Sequence, residues 1–136
     1  MIPKFEGWGN WHSRFYIARA NEHFDDEARN LGIGVGRLEC VYATLEQPRV
    51  SGDDIVLRLS VNPDVCYVAN MFYFDRSLKG TLVEQKIREN ARKYWKSLTS
   101  LTKYLNSNEI KPWGSEEFFP AVLIPHRIQV DRIRFI

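Results

Sequence analysis

Acid–base chemistry is the first possibility that the residues suggest, because an imidazole lies close to carboxylates in the chain. His23 is followed by the acidic run Asp25, Asp26 and Glu27. A carboxylate beside an imidazole can orient the ring and raise its pKa, as a general acid or base requires. Consecutive residues of a helix point in different directions, so these three carboxylates cannot converge on one ion. The pattern favours a solvated acidic helix face.

Metal binding is the second possibility. The chain contains thiols and imidazoles, the side chains that zinc prefers: Cys40, Cys66, His12, His23 and His126. No two of them have the short Cys-x-x-Cys or His-x-x-x-His spacing that makes a zinc site specific. We therefore assign no metal ligand, no catalytic residue and no cofactor, and we expect Cys40 and Cys66 to be buried thiols in a reducing compartment.

A third pattern combines Asp64, which follows Pro63, with Glu84 and Lys86. Its spacing resembles the loose motif of the restriction-endonuclease-like nucleases. That resemblance implies that Asp64 and Glu84 hold a divalent metal, while Lys86 positions the attacking water or stabilises charge. In that family the second half of the motif lies on a strand, whereas Glu84 and Lys86 open a predicted helix here. A nucleic-acid-binding or metal-dependent nuclease domain is the alternative function.

Two surface features have more bearing on binding than on catalysis. The first is a set of cations that lie away from the apolar stripe of the predicted helix in residues 81–106. From this set we select Arg92, Lys93, Lys96 and Lys103 as candidate binding residues. The other reading of the set is a solvated face with helical pairs such as Glu84–Arg88 and Glu89–Lys93.

The second surface feature is the aromatic N-terminal segment, in which Trp8 and Trp11 flank Gly9 and Asn10. Tryptophan side chains supply much of the binding energy at protein interfaces, and aromatic rings can also stack on bases or sugars. They can equally cover a hydrophobic core. We select Trp8 and Trp11 as candidate binding residues because neither helical nor strand periodicity accounts for them.

The clearest periodic element is the helix that would carry the cations. Thr81 and Glu84 have the spacing of a capping box, and the apolar residues behind them recur at steps of three or four. This apolar face contains Val83, Ile87, Ala91, Tyr94, Leu98, Leu101 and Leu105. The pattern predicts one continuous amphipathic helix over residues 81–106, with its cations turned toward water.

An earlier helix is predicted between Trp11 and Leu31, with Gly32 at the left-handed cap position. Period-two patterning and β-compatible residues then predict strands in several segments: Arg37–Leu45, Asp54–Val61, Val65–Phe74, Phe118–Ile124 and Ile128–Ile136. Turn residues join the first three strands, so an antiparallel meander is the simplest topology. Pro120 indicates an interrupted or edge strand, and a change of apolar phase after Val130 indicates a bulge or strand end.

These elements predict one α+β domain spanning residues 1–136, in the order α-β-β-β-α-β-β. A mainly antiparallel sheet of about five strands would pack against one long amphipathic helix and a shorter N-terminal helix. The chain is 44% hydrophobic and 26% charged, as in ordinary globular proteins. It contains no apolar run long enough for a membrane span and no signal peptide, so we expect a cytoplasmic protein that does not contact a membrane.

Charge distribution points to the C-terminal half for contacts with an anionic partner. Residues 1–78 contain 8 basic and 11 acidic side chains, a net charge of −3, whereas residues 79–136 contain 11 and 6, a net charge of +5. We therefore predict a non-catalytic binding module that acts through the basic helix face and the aromatic segment. Its expected partner is another protein, as for an inhibitor, an immunity protein or a subunit of a complex.

Overall fold

A computed structural model describes residues 10–46, 52–107 and 117–136. These ranges form an α+β fold with four helices and six strands, which confirms the predicted class. The helices are α1 (Asn10–Asn30), α2 (Phe72–Arg76), α3 (Glu84–Lys96) and α4 (Leu101–Asn106). The strands are β1 (Val41–Ala43), β2 (Leu57–Leu59), β3 (Tyr67–Asn70), β4 (Thr99–Ser100), β5 (Pro120–Ile124) and β6 (Ile133–Phe135). Short 3-10 turns cover Arg37–Glu39, Pro63–Val65 and Val130–Arg132.

The predicted N-terminal helix is confirmed as α1. It buries Ala20, Phe24 and Ala28, which lie on one face because they are four residues apart. Gly32 follows with a φ of +72°, the left-handed conformation that glycine adopts without steric cost. The amide of Ile33 donates to the carbonyl of Ala28 at 2.8 Å, which closes the helix end in a Schellman arrangement.

The prediction of one helix over residues 81–106 is wrong, because α3 ends at Lys96 and α4 begins at Leu101. Between them the chain pairs briefly with β3 as β4, opposite Tyr67 and Val68. The Ser97 hydroxyl accepts a hydrogen bond from the buried Asn70 amide at 2.9 Å, and Ser100 caps α4. Serine hydroxyls compete with helical hydrogen bonding and favour helix ends, so they break the helix although the apolar spacing continues across it.

The start of the same helix also differs from the prediction. α3 begins at Glu84 with Val83 in the N-cap position, and no side chain makes a capping hydrogen bond there. Thr81 is therefore not the cap. The carboxylate of Glu84 instead accepts from Arg88 Nε at 2.9 Å.

The predicted meander is wrong, since the strands form two separate antiparallel sheets. The larger sheet has the order β1-β5-β3-β4, with Val41 opposite Ile124 and Val68 opposite Val122. β2 pairs only with β6. β5 lies between β1 and β3 because Ala121 to Ile124 is apolar at every position, as a strand buried on both faces requires.

Proline is tolerated in the central strand β5 because Pro120 is its first residue. Pro120 lies opposite Asn70, which also ends β3 earlier than predicted. The fully buried side-chain oxygen of Asn70 accepts from the Phe72 amide at 3.2 Å and the Phe119 amide at 3.0 Å. Residues 72–76 consequently leave the sheet and form α2.

The remaining strands are shorter than predicted. Arg37–Glu39 is a 3-10 turn before β1, and Val130–Arg132 is a 3-10 turn before β6, at the position where the apolar phase changes. In the segment 54–61 only Leu57–Leu59 pairs as a strand.

The four-stranded sheet separates two hydrophobic clusters. The larger cluster packs α1 and α3 on one face, where Phe24, Tyr94 and Trp95 make edge-on aromatic contacts 4.9–5.2 Å between ring centres. Trp95 Nε1 also donates a hydrogen bond to the carbonyl of Phe24 at 2.7 Å, so the buried N–H group of the indole has an acceptor. The second cluster lies on the other face around Cys66, Val68, Leu101, Val122 and Ile124.

Candidate functional site

The predicted basic face is divided by the break between the helices. Arg92, Lys93 and Lys96 lie on α3, whereas Lys103 lies on α4. The three lysines are exposed and form no ion pair with the described residues, and Lys93 Nζ lies 5.8 Å from the centre of the Tyr73 ring. The structure therefore does not present these cations as one continuous row. Of the aromatic pair, Trp8 lies outside the described residues, and Trp11 is described only as a backbone position in α1.

The arginines of α3 are neutralised by the acidic turn of α1. Arg88 contacts Glu27 at 3.2 Å and Asp26 at 3.7 Å, and Arg92 contacts Glu27 at 3.6 Å. The predicted Glu84–Arg88 pair is confirmed at 2.9 Å, and this hydrogen bond raises the pKa of Arg88. Arg92 consequently has an internal partner, which weakens its case as a binding residue.

The acidic run of α1 is not a fully solvated face, contrary to the prediction, because Asp25 and Glu27 are buried. His23 is also largely buried, with Nδ1 3.9 Å from a Glu84 oxygen. This nitrogen makes no hydrogen bond within the described structure. Two of the acidic residues therefore have structural roles. Asp25 accepts hydrogen bonds in the turn before β1, and Glu27 lies at the contact between α1 and α3.

Replacing Glu27 with glutamine tests the importance of this contact. Two arginines would lose the carboxylate that they share, and hydrogen bonds to charged groups contribute about 1.5–3 kcal/mol each. We expect Glu27→Gln to lower the free energy of unfolding by about 2 kcal/mol, as measured by urea denaturation. Glu22→Gln is the matched control, because Glu22 is exposed on the same helix and forms no ion pair with the described residues. Equal stabilities of the two variants would contradict the structural role of Glu27.

A buried arginine, Arg37, forms the centre of a second polar cluster and is only 3% exposed. Its guanidinium lies 3.5 Å from the centre of the Phe74 ring. Nε donates to the Asn21 side-chain oxygen at 2.9 Å, and Nη1 donates to the Tyr94 hydroxyl at 2.7 Å. Among the described residues, no carboxylate comes within ion-pair distance of this guanidinium. The positive charge of Arg37 is therefore surrounded by aromatic rings and neutral polar groups.

Asp25 fixes the turn that places Arg37 there. Its buried carboxylate accepts from the amides of Arg37 at 2.7 Å and Leu38 at 3.3 Å. Gly36 leaves room for this carboxylate at the start of the turn, because a Cβ there would lie 3.1 Å from it and the carboxylate would have to shift by a few tenths of an ångström. The Tyr42 hydroxyl donates to the Arg37 carbonyl. These hydrogen bonds join α1, α3 and the turn before β1, so the cluster stabilises the fold.

Burial in this cluster suppresses ionisation. Desolvation raises the pKa of Tyr94 to about 12, although the nearby Arg37 opposes this shift. Desolvation likewise raises the pKa of the Cys40 thiol to about 11. Cys40 and Cys66 are both free, and Cys66 is buried as predicted while Cys40 is half-buried. A thiol with a raised pKa is a poor nucleophile, so neither the phenol nor the thiol is prepared for nucleophilic chemistry near neutral pH.

The residues of the nuclease-like pattern have separate partners. Asp64 accepts a hydrogen bond from the Thr102 hydroxyl, Glu84 is occupied by Arg88, and Lys86 pairs with Glu89 at 3.4 Å. Within the ranges 10–46, 52–107 and 117–136, no three residues of the types His, Cys, Asp and Glu form a group that could hold a metal ion.

A surface that the sequence pattern did not indicate lies on the two-stranded ribbon of β2 and β6. Leu57 lies opposite Phe135 and Leu59 opposite Ile133, so these four side chains share one face. Leu59 packs against the second hydrophobic cluster. At the other end of the ribbon Phe135 is 78% exposed and Leu57 is 46% exposed. The ribbon therefore presents an exposed apolar pair to solvent.

The opposite face of the ribbon is positively charged. Arg58 lies directly across from Arg134, and like charges in that position destabilise a strand pair. Arg134 donates to the backbone carbonyls of Asp131 and Ile133, and neither arginine forms an ion pair with the described residues. A two-stranded ribbon is only marginally stable in water unless it packs against another surface. An acidic group placed near both arginines would relieve their repulsion.

Comparison with protein-family models, with curated proteins and with solved structures finds no match to this chain. Function therefore has to be inferred from the residues themselves. Among the helices of the described residues, none is long and apolar enough to cross a membrane.

Sequence reasoning missed the ribbon because its two strands are separated by more than seventy residues along the chain. The available signals were the alternation of Leu57, Arg58 and Leu59 and the same alternation in Ile133, Arg134 and Phe135. Alternation shows which side chains share a face, but it does not show which strand is the partner or how much of the face remains exposed.

Proposed function

We propose that this chain is a non-catalytic protein-binding domain of the cytoplasm and that its main contact surface is the ribbon formed by β2 and β6. The observation that carries the proposal is the exposed apolar pair Leu57 and Phe135 on one face of the ribbon, with Arg58 and Arg134 on the other face and without an ion pair among the described residues. Contact surfaces between proteins combine aromatic anchors and arginines with a polar rim. Two free thiols, Cys40 and Cys66, agree with a reducing compartment.

The chemistry of the ribbon indicates the kind of partner. Phe135 would insert into an apolar depression, and carboxylates that reach around the edge of the ribbon would pair with Arg58 and Arg134 on its opposite face. The expected partner is therefore a protein with an apolar surface and acidic residues around it. We also propose a second, weaker contact through three exposed lysines, Lys93, Lys96 and Lys103. The break between α3 and α4 means that these lysines do not share one continuous helix face.

Replacing the apolar pair with serine tests this assignment. A partner captured from cell extract is first purified, and its affinity is then measured by calorimetry with the wild-type chain. We expect Leu57→Ser with Phe135→Ser to weaken binding by about tenfold or more, because the anchor is lost. Leu38→Ser, which changes an exposed leucine outside the ribbon, is the matched control and should leave affinity unchanged.

Three results would overturn the assignment. Equal binding by the ribbon variant and the control would exclude the ribbon as the contact surface. Loss of binding in Lys96→Glu with Lys103→Glu, without loss in the ribbon variant, would place the contact on α3 and α4. Binding that requires nucleic acid and weakens log-linearly with salt would show phosphate contacts and favour the nucleic-acid alternative.

A further inference from the structure

A cavity of about 250 Å³ lies where the ribbon meets the loop after β5. Three basic residues line it: His126, Arg127 and Arg132. No aspartate or glutamate of the described residues lines it, and neither arginine forms an ion pair within them. Arg127 and Arg132 therefore lie at this cavity without a counter-ion among the described residues.

The surface of the cavity is mainly apolar, although some of the residues that line it are polar. Ser60, Asn62 and Gln129 contribute polar groups, whereas Val61 and Ile128 contribute apolar ones. Both apolar side chains pack against the second hydrophobic cluster, so they are held in place. An inorganic anion would use the arginines but not these apolar side chains. A carboxylate with a short apolar chain would use both.

Local hydrogen bonds orient the polar groups of the cavity. The Asn62 side-chain oxygen accepts from the Asp64 amide at 3.0 Å, which leaves its NH₂ group available as a donor. His126 Nδ1 lies 2.9 Å from the Arg127 carbonyl, which can only accept, so Nδ1 carries the proton. The amide of Ser60 donates to the Arg132 carbonyl at 2.9 Å and joins the two sides of the cavity.

From this arrangement we propose that the cavity binds a carboxylate attached to a short apolar chain, with Arg127 and Arg132 as its charge partners. Arginine pairs well with carboxylates because its planar guanidinium matches their geometry. The carboxylate can belong to a free aliphatic acid or to the C-terminus of a peptide. The site does not depend on protein binding by the ribbon, and its test contains no partner protein.

The test titrates the wild-type chain with sodium hexanoate and, separately, with hexanamide, which has the same shape but no charge. Backbone amide shifts in residues 60–62 and 126–132 are followed by NMR. For hexanoate we expect saturable shifts with a dissociation constant of about 1 mM. For hexanamide we expect a dissociation constant that is about fivefold higher or more. Acetyl-glycyl-leucine and its C-terminal amide form the second pair of probes, and tighter binding of the free peptide acid than of hexanoate would identify a peptide C-terminus as the source.

Variants locate the site. Arg127→Gln with Arg132→Gln should abolish the hexanoate shifts, whereas Arg76→Gln with Lys79→Gln removes two exposed cations elsewhere and should preserve them. Absence of saturable shifts at about 50 mM hexanoate would overturn the proposal, because that concentration exceeds the expected dissociation constant many times. Equal binding of acid and amide by the wild-type chain would also overturn it, and so would unchanged binding by the double arginine variant.

Discussion

Replacing Arg37 with leucine is expected to lower the free energy of unfolding by about 3–5 kcal/mol, because its buried guanidinium donates two hydrogen bonds and hydrogen bonds to charged groups contribute about 1.5–3 kcal/mol each. Tyr94 and Asn21 would lose the donor that each now accepts from. Leucine can fill the apolar volume against Phe74, but it cannot satisfy these oxygens.

Urea denaturation of the variant and the wild-type chain measures this loss. Arg76→Leu is the control, since Arg76 is exposed and stacks loosely on Phe72 at 5.4 Å, and it should cost no more than about 1 kcal/mol. A double-mutant cycle with Tyr94→Phe isolates the Arg37–Tyr94 hydrogen bond, which should contribute a coupling of about 1.5–3 kcal/mol because its donor is charged. If Arg37→Leu costs no more than Arg76→Leu, the cluster does not stabilise the fold in the way described.

The buried Tyr94 phenol should make the protein lose stability in alkali. Its pKa is raised from 10.0 to about 12 in the folded state. The folded state therefore keeps the proton that the unfolded state has already released. The contribution to stability is fully present below pH 10 and is lost as the pH rises through about 12, and one pKa unit corresponds to about 1.4 kcal/mol. Across this window the free energy of unfolding should fall by roughly 3 kcal/mol.

Stability measured at several pH values in the wild-type chain and in Tyr94→Phe separates this effect from other alkaline titrations. The variant has no phenol at position 94. Its free energy of unfolding should therefore fall less as the pH rises, and the difference is the contribution of Tyr94. Tyr42 also has a pKa raised by burial and remains in both proteins. Parallel curves for the two proteins would show that Tyr94 ionises equally easily in the folded and unfolded states.

Local periodicity was sufficient to predict the helices where packing follows one face. Phe24 and Ala28 on α1, and Ile87 and Ala91 on α3, are buried as their spacing predicts. The break after Lys96 was not predictable in the same way, because Leu98 and Leu101 continue the apolar spacing across it. The deciding hydrogen bond comes from Asn70, which is distant in sequence.

Strand pairing and the buried arginine depended on still more distant contacts. β1 and β3 were expected to belong to one meander with β2, but both pair with β5, and no local pattern specifies such a partner. Arg37 lies in a segment with the composition of a strand, and its hydrogen-bonding partners come from α1 and α3. An arginine in such a segment is ordinarily exposed, so its burial could not be predicted from sequence alone.

The position of β5 has a consequence for the order in which the chain acquires its structure. The helices α1 and α3 can form from local contacts as soon as their residues leave the ribosome. β1 and β3 cannot be joined until residues 120–124 arrive to lie between them. Closing such long loops is slow, so the unpaired edges of both strands are accessible to other chains during synthesis, and completion of the sheet is the step at which aggregation competes with folding.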